Sequence, residues 1–237
     1  NHLGWVRGVR AGGKDYLPQL IAMIAAAGGM PGLPFAPDLI RSLGMIPNEY
    51  LFYYYHSREA VENLLAAGTT RALQLVALND ELFRTLAALS ERGDVDGMRA
   101  AHAAYLRRRG ETYMARETGG QGHELAAHPA LAAAMEGEGY AGVALDLVEA
   151  LAGGRPRHMT LNIPNAGATP AMPPDAVLEI PAYVSHDSVQ PLALAPLPEA
   201  ELGLMLQVKA YERLTIRAVA EGAKAAAIQA LAIHPLV

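Results

Sequence analysis

The chain opens on Asn1-His2-Leu3-Gly4-Trp5-Val6-Arg7-Gly8-Val9, and this stretch limits what can follow more than any other. Leu3, Trp5 and Val9 suit a pleated, half-covered surface, and Gly12-Gly13 supplies the turn that ends it. A strand is therefore expected at the very start, with no initiator methionine and no polar lead-in. Such an opening reads as the middle of something longer, with one imidazole, His2, placed at the break. That imidazole is either a metal ligand or an incidental side chain at a frayed end, and the stretch alone leaves both open.

The rest is punctuated mainly for helices. Asp15 can cap a helix with Pro18 in its first turn, running through Leu20, Ile21, Ile24 and Ala25 to Gly28-Gly29. A Pro- and Gly-rich loop over 30–37 leads to a short helix from Asp38 to Leu43. In Ile46 to His56, Tyr50, Tyr53 and Tyr54 would share one helical face. Ser57 to Leu89 reads as two helices meeting at Gly68-Thr69-Thr70, and Asp94 to Arg109 as another, ending in a solvated arginine triplet. Residues 116–128 read as a flexible loop. After a short helix from Pro129 and a Gly-rich turn at Tyr140, Ala141 to Leu151 forms a helix with Val143, Leu147 and Val148 inward. Strands at Met159–Ile163 and Ala176–Val184 follow, then helices from Pro198 to Ala220 and from Gly222 to Ile233. The sum is α+β with helix dominant, in a single domain over 1–237.

Composition removes whole classes of function. At 237 residues the chain should bury roughly 70–75% of its unfolded surface. A net charge of −5 with both signs interspersed gives no reason to expect nucleic acid. The absence of cysteine excludes disulfides and thiolate chemistry, so a metal would have to be held by His, Asp, Glu or Asn. With no signal peptide and no apolar run of about 20 residues, no membrane is expected and the default compartment is cytoplasmic. No Gly-x-Gly-x-x-Gly follows a strand, no Walker loop or Gly-x-Ser-x-Gly elbow is present, and the eight histidines show no metal-ligand spacing. From spacing alone, there is no complete active site.

Four stretches supply context. Asn1 to Val9, Ile46-Pro47-Asn48-Glu49-Tyr50-Leu51 with its tyrosines, Asn162-Ile163-Pro164-Asn165-Ala166-Gly167 and Lys209-Ala210-Tyr211-Glu212-Arg213-Leu214-Thr215 occur in this order. Together they resemble glycoside hydrolase family four, most nearly its 6-phospho-β-glucosidases, and the closing Ala232-Ile233-His234-Pro235-Leu236-Val237 is similar as well. The resemblance runs the length of the chain, with an apparent insertion near 92–125. It implies a helix-rich C-terminal domain of the lactate/malate dehydrogenase C-terminal-like type, with a small, mostly antiparallel sheet. An NAD-binding Rossmann domain would precede Asn1.

The chemistry the resemblance implies departs from the two-carboxylate scheme of most glycosidases. NAD oxidises the sugar's third carbon, which acidifies the proton on the second, while a divalent metal, usually Mn2+, polarises the neighbouring oxygens. A tyrosine removes the proton, the aglycone is eliminated, water adds and the hydride returns. Matched residue by residue, His2 is the metal ligand, Asn1 lies near the substrate and Tyr140 is the base. A phenol near pKa 10 becomes a competent base only beside cationic or metal-bound groups. NAD and Mn2+ would both need the N-terminal half.

Two positions depart from the family's pattern. Met135-Glu136-Gly137 replaces an Arg-Gly-Gly before the tyrosine, and Pro164 stands where many phospho-glycosidases carry the arginine that contacts sugar or phosphate. A guanidinium is hard to replace at a phosphate, so an unphosphorylated glycoside is a possible substrate beside a phospho-glycoside. Two other readings stay open: a non-catalytic homologue acting as an assembly module, and the substrate domain of a 2-hydroxy-acid dehydrogenase. A homodimer or homotetramer is expected, from the apolar face that a missing half would cover.

Overall fold

A computed structural model describes residues 3–30, 32–120 and 139–236, with backbone alone at 139 and 140. It forms two compact units, one over 2–134 and the other over 135–237.

The first unit begins with β1 (Trp5–Val6), β2 (Arg10–Ala11) and β3 (Lys14–Asp15). The opening strand is shorter than its pattern suggests. It pairs for only two residues, Trp5 with Pro47 and Val6 with Ile46 of β4 (Ile46–Pro47). The reason is Asp15, whose carboxylate accepts N–H bonds from Val9 (3.0 Å) and Leu17 (2.9 Å), drawing the chain out of the ladder. Those two donors hold the carboxyl below its usual range, Leu17 contributing most. Gly12 and Gly13, at φ 55° and 78°, form the turn between β2 and β3, both in the left-handed region that favours glycine. Asp15 thus joins the hairpin to α1 (Leu17–Ala26), which buries Leu17, Ile21 and Ile24.

Helix α2 (Pro37–Leu43) buries Ile40 and stops at Gly44 in the left-handed conformation. The tyrosine stretch is not one helix. It is a 3-10 turn (Glu49–Leu51) and α3 (Phe52–Tyr55), broken at His56 (φ −126°, ψ 35°) before α4 (Ser57–Ala66). Leu51 and Phe52 go inward where the 3-10 turn passes into α3, so Tyr50 stands on the turn and Tyr53, Tyr54 and Tyr55 on the helix. Thr70 caps α5 (Arg71–Glu91) by accepting from Leu73 N–H, and Asp94 caps α6 (Val95–Glu111) by accepting from Gly97 N–H. These two long helices pack on one another, α6 lying in the segment expected as an insertion.

In the second unit, α7 (Gly139–Leu151) packs on an antiparallel sheet of β5 (Arg157–Pro164), β6 (Val177–Ser185) and β7 (Ser188–Pro191), in that order. Its inward residue is Ala150, fully buried; Val143 and Val148 face outward, contrary to the expected pattern. The helix contacts β6, on which Ala182 and Val184 are likewise fully buried. The central strand alternates cleanly, burying Leu178, Ile180, Ala182 and Val184. Strand β7, which the sequence pattern hid, returns through His186-Asp187 and pairs only as far as Ala182, because Pro181 has no N–H to offer. Two helices, α8 (Glu199–Glu221) and α9 (Lys224–Ile233), pack together at the end. Leu202 and Met205 of α8 lie against the cluster of Ala168, Met172, Ala176, Leu178 and Ile180.

The β5–β6 connection is fastened by Asn165, which is fully buried. Its Nδ2 donates to the carbonyls of Thr169 (2.9 Å), Met172 (2.8 Å) and Pro173 (3.3 Å), and its Oδ1 accepts from Thr169 N–H (2.9 Å). Removing that carboxamide strands several buried polar groups. Asn165→Ala should cost about 2–4 kcal/mol, measured as a lowered urea midpoint. Asn165→Asp should also destabilise, since a carboxylate cannot donate to those carbonyls.

Candidate functional site

Of the residues singled out for chemistry, Asn1 and His2 lie outside the described residues, and of Tyr140 only the backbone is described, in the first turn of α7. What the structure does describe is their setting. Asn48 N–H donates to Gly4 carbonyl (2.8 Å) and Trp5 Nε1–H to the Tyr55 hydroxyl (3.2 Å). The opening stretch and the tyrosine stretch are therefore adjacent, two of the four family-like motifs in one place.

The tyrosines themselves serve packing. Burial, with the Glu117 carboxylate beside it, pushes the Tyr53 phenol above the ordinary range. Tyr50 and Tyr113 hydroxyls are hydrogen-bonded to each other. Arg71, whose guanidinium is pushed down by burial and by nearby Arg109, binds the Arg109 carbonyl (2.8 Å) and the Thr112 hydroxyl. Arg116 donates to Thr69 carbonyl (2.6 Å), and Asn63 to Glu117 carbonyl (2.9 Å). Residues 116–120 are thus pinned down, where a flexible loop was expected.

Two hollows stand out among the described residues. The first, about 530 Å³, lies in the first unit between the 27–37 loop and His56 with Glu59. His56 Nδ1 faces Glu59 Oε2 at 3.1 Å, its ring stacks on Phe52 at 4.9 Å, and its Nε2 is buried without a hydrogen-bond partner. That nitrogen is shut off from the hollow, which leaves the exposed Glu59 edge as its polar wall.

The second, about 500 Å³, lies in the second unit along β5, lined by Val143 and Asp146 of α7 and by residues 155–160. It holds more chemistry. Arg157 Nη2 bridges Asp146 (2.9 Å) and Glu149 (2.8 Å), the ring of His158 lies 5.3 Å from that of Tyr183, and Arg155 stands exposed at the rim. Position 140 is one turn before Val143 on the same helix. The expected strand begins only at Met159; the signal for the residues before it is two arginines flanking a proline, Arg155-Pro156-Arg157.

The remaining family-like motif is structural in this unit. Arg213 makes a two-pronged contact with Asp175, 3.0 Å to each oxygen, tying α8 to the loop that Asn165 holds. The Tyr211 ring meets His234 edge-on at 4.5 Å, joining α8 to the close of the chain.

Among the described residues no three His, Asp or Glu side chains converge as a metal site. The described part of the chain therefore does not fit a divalent metal by itself, and His2 would need ligands from beyond it.

Comparison with known proteins accounts for this arrangement. A model of the family 4 glycosyl hydrolase C-terminal domain matches residues 1–237, and the chain belongs to that family. It is 26% identical over 240 residues to 6-phospho-beta-glucosidase BglT of Thermotoga maritima, covering 100% of this chain and 48% of the relative. It is 25% identical to a probable 6-phospho-beta-glucosidase of Bacillus subtilis over 209 residues, 87% of this chain and 40% of that one. The chain spans about half the length of the curated relatives it matches end to end. In fold it is similar to the Thermotoga maritima 6-phospho-beta glucosidase solved with NAD and glucose-6-phosphate, with a TM-score of 0.68 at 24% identity, covering 100% of this chain and 48% of that one. It is similar also to a 6-phospho-alpha-glucosidase from gut microorganisms solved with NAD and Mn2+, with a TM-score of 0.64 at 20% identity, covering 100% and 49%. The helix-rich α+β class with small antiparallel sheets agrees with these structures.

Because metal sites use three or four protein ligands, manganese titrated into this chain alone should show no micromolar site by calorimetry. A stoichiometric micromolar site would mean that the chain carries a full ligand set.

Proposed function

We propose that this chain is the substrate-facing C-terminal part of a glycosidase that cleaves O-glycosidic bonds by oxidation, elimination and addition. The observation that carries this is the family match across all 237 residues. In that reading His2 is one ligand of a divalent metal, Asn1 contacts the sugar, and NAD with the remaining ligands comes from the other half of a longer, cytoplasmic protein. NAD and metal supply hydride abstraction and charge stabilisation when bound. This chain's own contribution is the proton step: the Tyr140 phenolate takes the proton from the sugar's second carbon. Family membership makes the hydroxy-acid dehydrogenase alternative unnecessary. Met135-Glu136-Gly137 and Pro164, where the family carries arginines, favour the second reading, a non-catalytic relative.

Tyr140→Phe in the full-length protein separates the two. If Tyr140 is the base, turnover falls by roughly a hundred- to ten-thousandfold, and exchange of the second-carbon proton with deuterated water falls with it. Exchange at the parent's rate removes Tyr140 from the role. Exchange absent in the parent, with NAD and manganese present, selects the non-catalytic reading.

We also propose a homodimer or homotetramer. Leu65, Phe83 and Val219 are 76%, 68% and 81% exposed, on helices α4, α5 and α8. An interface between copies would remove such side chains from water. Light scattering at tens of micromolar should give at least twice the chain mass; a clean monomer counts against it.

A further inference from the structure

We propose that two copies of this chain meet along the outer face of α5, with the two helices antiparallel. This rests on the self-association proposed above and adds to it the surface and the pairing of charges across it.

Helices α5 and α6 form an arm with little to hold it. Among the described elements they pack chiefly on each other, and Leu78 is the one buried residue of the two. The α6 side of α5 is already engaged: Leu78 and Leu82 face Ala101 and Ala104, the Tyr105 hydroxyl donates to Asn79 Oδ1 (2.8 Å), and Arg108 pairs with Glu81 (2.7 Å). Helices in proteins draw most of their stability from packing an apolar face. One buried leucine is a small share of that.

The opposite side of α5 carries a second stripe. Leu73, Val76, Asp80, Phe83 and Ala87 recur at i, i+3, i+7, i+10 and i+14, the spacing of a seam between helices, and all of them are exposed. Apolar stripes on both sides suit a helix that lies between two partners, and α6 is only one of them.

The charges in and beside the stripe identify the other. Asp80 and Arg84 are exposed and stand one turn apart. Arg84 Nε donates to the Asp80 carbonyl (3.0 Å), and neither side chain has an ion pair among the described residues. A parallel copy would set Asp80 against Asp80. An antiparallel copy, with the two-fold axis between residues 81 and 82, brings Val76 level with Ala87 of the second copy, and Asp80 level with its Phe83 and within reach of its Arg84. Two identical ion pairs then flank the axis. The face is self-complementary, as a two-fold contact requires, and an aspartate in the seam fixes the register at some cost in stability.

The test uses the full-length protein, with mass read by light scattering at tens of micromolar. Phe83→Asp should halve the mass. Asp80→Arg and Arg84→Asp, each alone, set like charges across the axis and should raise the dissociation constant roughly tenfold or more, whereas the two together restore opposite charges and should return it to within about threefold of the parent. That exchange reads the surface even where Phe83→Asp does not fold. Single changes without effect, or a double change that recovers nothing, overturn the proposal. If Val219→Asp halves the mass and Phe83→Asp does not, self-association stands and the surface assigned to it is wrong. An unchanged mass with a lowered melting temperature for Phe83→Asp means that the stripe is covered within one molecule, which also overturns the proposal. A monomeric parent removes both the surface and the self-association.

Discussion

The second unit hangs on one buried carboxamide. Asn165 binds three carbonyls and one N–H of the segment that follows it, and this closes the connection over 165–176 into a fixed shape. Once closed, Ala168, Met172 and Ala176 turn inward beside Leu178 and Ile180, giving α8 an apolar surface to pack on. Arg213 then clamps the outside of the same segment through Asp175. The closure is tight enough to hold Ala166 at φ 44°, a conformation that costs a residue with a Cβ roughly 1–2 kcal/mol. A buried polar group of this sort stabilises only when every partner is in place.

Much of the architecture was legible because local signals agreed with it. The caps Thr70 and Asp94, the Gly12-Gly13 turn and the alternation in β6 each state their element within a few residues. The failures are tertiary. Val143 and Val148 read as core because they are apolar, but the residue the helix buries is Ala150. The tyrosine stretch read as one helix because nothing local marks the change from a 3-10 turn at Glu49–Leu51 to α-helix at Phe52. Asn165 read as part of a sugar-contacting motif, and the number of carbonyls that would converge on its amide could not be seen from spacing.

Family-like motifs in this chain divide by the work they do. Lys209–Thr215 and Asn165 hold the second unit together, and Tyr50, Tyr53 and Tyr55 fasten neighbouring segments in the first. The residues matched to chemistry, Asn1, His2 and Tyr140, are few and far apart in sequence. The described chain offers no self-contained metal centre to accompany them. The described part of this chain is mainly a frame.

Strand β5 is an edge strand of its sheet among the described residues, eight residues long. A bare edge of that length invites a second chain to add itself as another strand, the first step toward insoluble aggregates. Arg157 stands at one end of it and Pro164, which has no N–H to donate, at the other, with His158, Thr160 and Asn162 exposed between them. A second β5 brought alongside in parallel would set Arg157 against Arg157; brought in antiparallel, it would meet a proline at each end. Pro164, where the resemblance leads one to expect arginine, therefore works against extension of the sheet at this edge.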